Sequence, residues 1–471
     1  MPKTPITLIK GDKVSSLTDY RDALSVNMYA VKKDILEAKE YMLSYPGLVS
    51  FGTGLGIDRG AIYNEYFEAQ YRVSGTNLIS VSSTGVVILL GVIPGISQCR
   101  LIDFHSFNTQ GVIADGRMFL YDAVGGFREV DDVDLGSPID GVWVDGYYFL
   151  TDGEYVYHTD LDDEESINPL KFATAEFMPD PSLGLGKTTD NKVMVFGRYS
   201  IEYLANVATA NFAFSRVVSR AQKIGIVATH AKCETKDMWY IVGGRREDAV
   251  SVHVIANSTS EKVSTREVDK ILKQYTEPEL SDVRMECRME DDTTFILIHL
   301  PNETLCFNET IAKQFGLGVA WFILKTDTIG NNPYRAINSV LDARNSKWVC
   351  GDKQDTHLGK LDESVTTHYD EKVEWVLFTP FLNLDGMSID EIEIATVPGF
   401  NVIDDATVAF SKTGDGLTYG TEYWLNYGEP SDYGNRFIFR RIGYVRDYVG
   451  FKLRGISTSK MAFALMSVTY G

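Results

Sequence analysis

Few residue groupings in this chain of 471 residues could do chemistry, and each can be weighed by what surrounds it. Leu183-Gly184-Leu185-Gly186-Lys187-Thr188 carries the lysine and hydroxyl that a phosphate-binding loop uses on nucleotide phosphates. Such a loop also needs a glycine where this chain has Pro181, and a helix whose N-terminus then faces the phosphate. Lys192 to Phe196 (KVMVF) reads as a strand instead, so the segment is expected to be a loop connecting two strand units. Asp131-Asp132-Val133-Asp134-Leu135-Gly136 has the spaced carboxylates of a calcium loop, but Trp143 occupies the distal bidentate position. Asp160 to Glu165 (DLDDEE) is a second acidic cluster, and both read as solvated loops. His105, His158, His230, His253, His299, His357 and His368 are dispersed, without the spacing of a metal site. His299, within Ile296-Leu297-Ile298-His299-Leu300-Pro301, reads as a satisfied strand histidine. No nucleophile elbow of the G-x-S-x-G type occurs. With 65 acidic residues, carboxylate pairs arise by chance. No catalytic residue, cofactor or metal is therefore expected.

One grouping stands apart. Between Arg436 and Arg454 lie Arg436, Arg440, Arg441, Arg446, Lys452 and Arg454, opposed only by Asp447. Six basic residues less one acid leave a surplus of five positive charges in a chain of net charge −20. Strand alternation puts Arg436, Ile438 and Arg440 on one face, with Phe437 and Phe439 buried on the other. Two readings stay open: a polar outer sheet face, or a docking patch for an acidic partner or DNA backbone.

The elements that must carry these residues are mostly strands. Seven times between Tyr63 and Asp362 an aromatic-rich strand meets a tight polar turn and a second such strand. Val112-Ile113-Ala114, Asp115-Gly116 and Met118-Phe119-Leu120-Tyr121 form one unit; Val142-Trp143-Val144, Asp145-Gly146 and Tyr147-Tyr148-Phe149-Leu150 form the next. Other turns centre on Gly75-Thr76-Asn77, Asp190-Asn191, Lys236-Asp237, Asp291-Asp292 and Asn345-Ser346. Asp, Asn and Gly supply the positive φ that hairpins require. The recurrence predicts a β-propeller of six or seven blades over 56–369. One inserted helix is expected after a Ser264/Glu267 capping box, with Val268, Ile271, Leu272 and Tyr275 on its apolar face. Val86 to Ile93, the most apolar run, reads as one buried strand.

Residues 1–55 lack the hairpin rhythm and read as an extended arm with a short helix over Lys32 to Met42. Residues 370–471 alternate strictly, as in Glu391-Ile392-Glu393-Ile394-Ala395 and Thr407-Val408-Ala409-Phe410-Ser411. They predict a C-terminal antiparallel β-sandwich, so the fold class is all-β. The acidic balance disfavours ordinary nucleic-acid binding. Five scattered cysteines without a C-x-x-C pair predict reduced thiols and assembly in a cytoplasm. No signal peptide or membrane-spanning run is expected.

Several segments, taken in order, resemble a known family. They are Val26-Asn27-Met28, Tyr45-Pro46-Gly47, Tyr71-Arg72-Val73, Ser200-Ile201-Glu202-Tyr203, Gln222-Lys223-Ile224-Gly225 and Ile271 with Tyr275-Thr276. Ile298-His299-Leu300-Pro301, Cys350-Gly351-Asp352-Lys353, Leu377-Phe378-Thr379-Pro380 and Gly450-Phe451-Lys452-Leu453-Arg454 follow. The sequence resembles the tail hub, or packaged-DNA stabilisation and head-completion, proteins of short-tailed phages of enteric bacteria. That resemblance implies a structural virion protein without enzymatic activity. It implies a homo-hexameric ring below the portal and the head-to-tail adaptor. The ring would close the DNA channel and enclose viral DNA without reading its sequence. A tail needle and tailspikes or other adhesins would mount on it. The alternative is a propeller that binds or hydrolyses glycans. It would need carboxylates and exposed aromatics at one propeller mouth.

Overall fold

The computed structural model describes residues 3–8, 23–35, 38–102, 109–174, 177–209, 212–290, 292–330, 332–396, 407–428 and 436–471. Strands dominate it, and seven antiparallel four-stranded units follow one another along the chain. Blade 1 holds Asp58–Asn64, Ala69–Ser74, Asn77–Val81 and Val87–Val92, from inner to outer strand. Blade 2 runs from Arg100–Ile102 to Gly126–Glu129, and blade 3 from Asp140–Val144 to Asp163–Thr174. Blade 4 runs from Ser182–Lys187 to Phe214–Arg216, and blade 5 from Gly225–Ile226 to Thr259–Lys262. Blade 6 runs from Arg284–Glu290 to Trp321–Leu324. Blade 7 takes Ala336–Asp342, Lys347–Asp352 and His357–Asp362 from late in the chain and its outer strand, Gly47–Thr53, from the start. That strand closes the ring and lies ahead of the boundary expected at 56.

The hairpin turns read from the sequence fall in seven different blades; Asp291, of the Asp291-Asp292 turn, lies outside the described residues. The Asp-Gly turns have positive φ at both residues, 52° and 71° at Asp115-Gly116 and 52° and 83° at Asp145-Gly146. This backbone twist matches the flanking strands.

The C-terminal region, with strands from the N-terminal arm, is a sandwich of two sheets. One orders Met28–Ile35, Ala38–Ser44, Ala462–Tyr470, Ser388–Thr396 and Phe437–Tyr444, with Lys3–Thr7 also paired to Ala462–Tyr470. The other orders Glu374–Phe378, Tyr448–Ile456, Thr407–Thr413 and Tyr423–Asn426. Trp375, Ile392, Phe410, Phe437, Phe439, Phe451 and Phe463 fill the space between them. The short strand Ser25–Val26 pairs in parallel with Phe322 and Ile323 of blade 6 and antiparallel with Val376 of the sandwich. One continuous sheet therefore crosses from propeller to sandwich.

Five expectations require correction. Within the stretch Lys32 to Met42, the described residues lie on the paired strands Met28–Ile35 and Ala38–Ser44, not on a helix, and Met42 and Leu43 pair onward with Phe463 and Ala462. Burial of Met28, Ala30 and Met42 in the sandwich core outweighs a helix propensity of a few tenths of a kcal/mol per residue. Val87–Val92 is an outermost strand, with Ile88, Leu89 and Val92 more than half exposed. The expected helix exists as Arg266–Leu272, but Ser264 does not cap it. Its hydroxyl accepts from the Val252 N–H at 3.1 Å and donates to Asp269 at 2.7 Å. The capping box forms at Thr276 and Glu279 instead, on Glu277–Leu280. A third helix, Glu309–Phe315, is N-capped by Asn308 and places Ile311 in the sandwich core. Finally, Leu183 to Lys187 is no connecting loop: it lies in the inner strand of blade 4.

Candidate docking surfaces and the propeller–sandwich joint

The structure divides the six basic candidates between two sheets and the turn that joins them, where Arg446 lies. Arg436 and Arg440 project from the outer face of the first sheet, since Phe437 and Phe439 alternate into the core. Arg436 donates to Glu393 at 2.7 Å and Arg440 to Glu391 at 3.1 Å. Lys3 also donates to Glu393 at 2.8 Å. Hydrogen bonds from Arg436 and Lys3 hold the Glu393 carboxyl down at about 2. The sequence surplus is thus partly neutralised by a neighbouring strand. Arg441 sits at a bulge with φ 60° and is exposed, as is Arg446, whose Nε lies 3.7 Å from Asp447.

Lys452 and Arg454 face outward from the second sheet, because Phe451 and Leu453 point inward. Arg454 forks onto Glu422 at 2.6 and 2.7 Å and reaches Glu374 at 3.2 Å. Lys452 lies 4.6 Å from the centre of the Tyr419 ring. Both line a cleft of about 460 Å³ with Lys325, Glu374, Ile323 and Val376. This cleft marks the joint between propeller and sandwich.

At that joint, Asn27 has a left-handed backbone, φ 51°, which asparagine tolerates better than most residues. Its amide donates to the Lys325 carbonyl at 3.1 Å and the Glu374 carbonyl at 2.8 Å. Its Oδ1 accepts from the Lys325 N–H at 3.0 Å. The Lys325 ammonium in turn meets the Glu374 carboxylate at 2.6 Å. One buried side chain therefore ties the last strand of blade 6 to the first strand of the sandwich. The sequence reading missed this residue, although Val26-Asn27-Met28 was among the segments that carried the resemblance.

Buried ion pairs and hydrogen bonds tie the blades to one another. Arg72 meets Asp58 at 2.7 Å and donates to the Val349 and Asn338 carbonyls of blade 7 at 2.7 and 3.1 Å. Asn338 completes this latch between blades 7 and 1 by donating to Asp58 at 2.5 Å. Asp140 of blade 3 accepts from Lys232 of blade 5 at 2.7 Å and from the Leu185 N–H of blade 4 at 2.8 Å. Burial alone would raise the Asp140 carboxyl, but Lys232 and Arg100 hold it below the usual range. Glu286 accepts from the Ser339 N–H and hydroxyl, both at 3.0 Å. His299 lies 3.4 Å from Glu286, and burial pushes its imidazole down to about 4. It is buried on a strand as expected, but its Nε2 has no hydrogen-bond partner within normal distance among the described residues, so it is not fully satisfied. These groups are held against one another and across blades, an arrangement that fixes geometry.

One mouth of the ring opens into a cavity of about 500 Å³ lined by Gln98, Asp115, Pro138, His230 and Asp282 among others. No Phe, Tyr or Trp side chain lines it among the described residues. In the acidic loops, Asp132 accepts from the Asp134 and Ile167 N–H groups at 2.8 and 2.9 Å. Asp160 pairs with Lys171 at 2.6 Å. Among the described residues no cluster of three or more His, Cys, Asp or Glu could hold a metal ion. Cys99, Cys233, Cys306 and Cys350 are buried free thiols, and Cys287 is half-buried and free. His105 lies outside the described residues.

Comparison with known proteins extends this geometry to relatives. Residues 4–366 match the family described as bacteriophage P22 Gp10, beta-propeller, and residues 374–471 match bacteriophage P22 Gp10, beta-sandwich. The chain is 29% identical over 483 residues to the tail hub protein gp10 of Salmonella phage P22, covering 98% of each. Among solved structures, a streptogramin B lyase is 10% identical, with a TM-score of 0.41, over 67% of this chain and 97% of its own. The Neurospora crassa Pan2 WD40 domain is 9% identical, with a TM-score of 0.43, over 67% and 94%. No functional argument rests on those two distant likenesses. The two domain matches together span nearly the whole chain, which belongs to the bacteriophage P22 Gp10 family and carries both its β-propeller and its β-sandwich.

Proposed function

We propose that this chain is a phage tail hub, a structural virion component without catalytic activity. The observation that carries this reading is the match to a tail hub relative across 98% of both chains. The geometry supports it. A propeller whose blades are tied together by buried ion pairs, and whose sheet continues into a sandwich, suits a rigid spacer that transmits load between tail layers. The division into a ring over 56–369 and a sandwich over 370–471 is kept as the working boundary, with residues 1–55 as an arm serving both.

In finer detail, six copies form a ring below the portal and its adaptor. They close the channel, retain the packaged DNA and present mounts for a tail needle and tailspikes or other adhesins. Assembly takes place in the host cytoplasm, consistent with five free thiols. Viral DNA passes without sequence-specific contact. A net charge of −20 favours this, since strong phosphate contacts would slow ejection. Arg436, Arg440 and Arg441 along the edge strand of the first sheet, Arg446 in the turn between the sheets, and Lys452 and Arg454 at the joint cleft, are the proposed docking residues for neighbouring components. Among the described residues, the mouth lined by Gln98, Asp115 and His230 offers a sugar ring no Phe, Tyr or Trp to stack on. Deleting the gene from a phage that carries it tests the role. Full heads that lose their DNA and lack tails are expected; normal infectious particles would overturn the reading.

A further inference from the structure

The outer strand of blade 1 breaks a rule that the other blades follow. An outermost strand exposes unpaired N–H and C=O groups, and natural sheets protect such edges with charge or cover. Blades 2 to 5 carry charge there: Arg128 and Glu129, Asp163 to Glu165, Arg216, and Glu261 with Lys262. The outer strand of blade 6 is covered by Ser25–Val26. That of blade 7 is covered by the segment from Val365 to Tyr369, which exchanges backbone hydrogen bonds with Gly47 and Leu48. Blade 1 has neither protection among the described residues. Its Val87–Val92 strand reads VILLGV and is the terminal strand of its sheet.

Exposed apolar side chains lie on both faces of this strand. Ile88 is 55% exposed, Leu89 56% and Val92 63%. Ile57, half exposed, adjoins them: its carbonyl accepts from the Gly75 N–H, while the Thr76 carbonyl accepts from the Ile93 N–H. Val86 extends the patch at the other end. From Val73 through Cys99 the sequence has no charged residue at all, in a chain that is 23% charged.

We infer that this strand is the contact through which one copy of the chain meets the next. The charge distribution selects that occupant. Two copies, each of net charge −20, repel one another, so they approach at least cost where the surface carries no charge. A basic partner would gain by docking on the acidic surface instead and would need no uncharged strip. An exposed apolar patch at an unpaired edge supplies both desolvation and backbone pairing. In a closed ring the contact is heterologous, so the strand meets a different face of the neighbour. This deepens the ring reading above and rests on it.

Tail particles carrying a photo-crosslinker in place of Ile88 test the inference. Detecting the chain in those particles tests the hub role separately. The expected product has twice the chain mass and yields peptides of this chain only. In the second arm, Leu89→Glu with Val92→Glu leaves the melting temperature of the purified chain unchanged but causes loss of the chain from tails. Crosslinks to another tail protein, no crosslink from position 88, or normal incorporation of the double variant would each overturn the inference.

Discussion

Replacing Asn27 by alanine should loosen the propeller from the sandwich. The side chain makes three hydrogen bonds, to the Lys325 N–H and carbonyl and to the Glu374 carbonyl. Loss of a net hydrogen bond costs about 1 kcal/mol, and more where a buried group is left unpaired. Alanine also tolerates the left-handed backbone poorly, which adds about 1–2 kcal/mol. The sum is about 4–5 kcal/mol, much of it borne by the joint between the two sheets. Asn27→Gly separates the two contributions: it loses the hydrogen bonds but not the backbone compatibility, so it should be milder by about 1–2 kcal/mol. Urea titration read by hydrogen-exchange mass spectrometry follows blade 6 and the sandwich independently. The parent should open both together, and Asn27→Ala should open the sandwich at lower urea than the ring. If Asn27→Ala kept a single transition within about 1 kcal/mol of the parent, the stitch would be incidental.

Other outcomes follow from the same geometry. Arg72→Met leaves Asp58 buried without its cation and should destabilise the ring by about 3–5 kcal/mol; adding Asp58→Asn should recover part of that in a thermal melt. The folded His299 imidazole titrates at about 4, below its ordinary 6.5, so the unfolded chain takes up the proton first as pH falls. Its contribution is intact above about pH 6.5 and is lost toward pH 4, up to about 3 kcal/mol, so His299→Gln should flatten the fall in melting temperature across that window. Arg440→Glu with Arg441→Glu should leave the purified chain folded and impair its incorporation into tails. Infectious particles at the normal level would reduce those arginines to a solvated strand face.

The readable parts of the fold were those fixed by local chemistry. Asp115-Gly116 and Asp145-Gly146 announced hairpins because few residues accept positive φ at two successive positions. Strict alternation announced the sandwich strands Ser388–Thr396 and Thr407–Thr413, whose apolar faces share one core. What stayed hidden depends on partners far along the chain. Lys32 to Met42 has the composition of a helix, yet its fate is set by Phe463 and Ala462. Val86 to Ile93 looked buried because hydropathy reports composition, while exposure depends on the strand's place in the blade. Of the basic stretch, sequence gave the alternation at Arg436 to Arg440 but not the bulge at Arg441. Nor could it show that Lys452 and Arg454 lie on the opposite sheet, or that Glu391, Glu393 and Glu422 meet three of the six charges. Asn27 was legible only as an isolated polar residue between apolar ones, since its partners Lys325 and Glu374 are encoded some 300 residues later.

Cryo-electron microscopy of particles that carry this chain, reconstructed without imposed symmetry at the tail, is the decisive measurement. A tail hub predicts six copies around the axis beneath the portal and adaptor, each showing a seven-bladed propeller beside a sandwich, with the Val87–Val92 strand against a neighbouring copy. A tail axis lacking this fold, or a ring of another symmetry at that level, would contradict it.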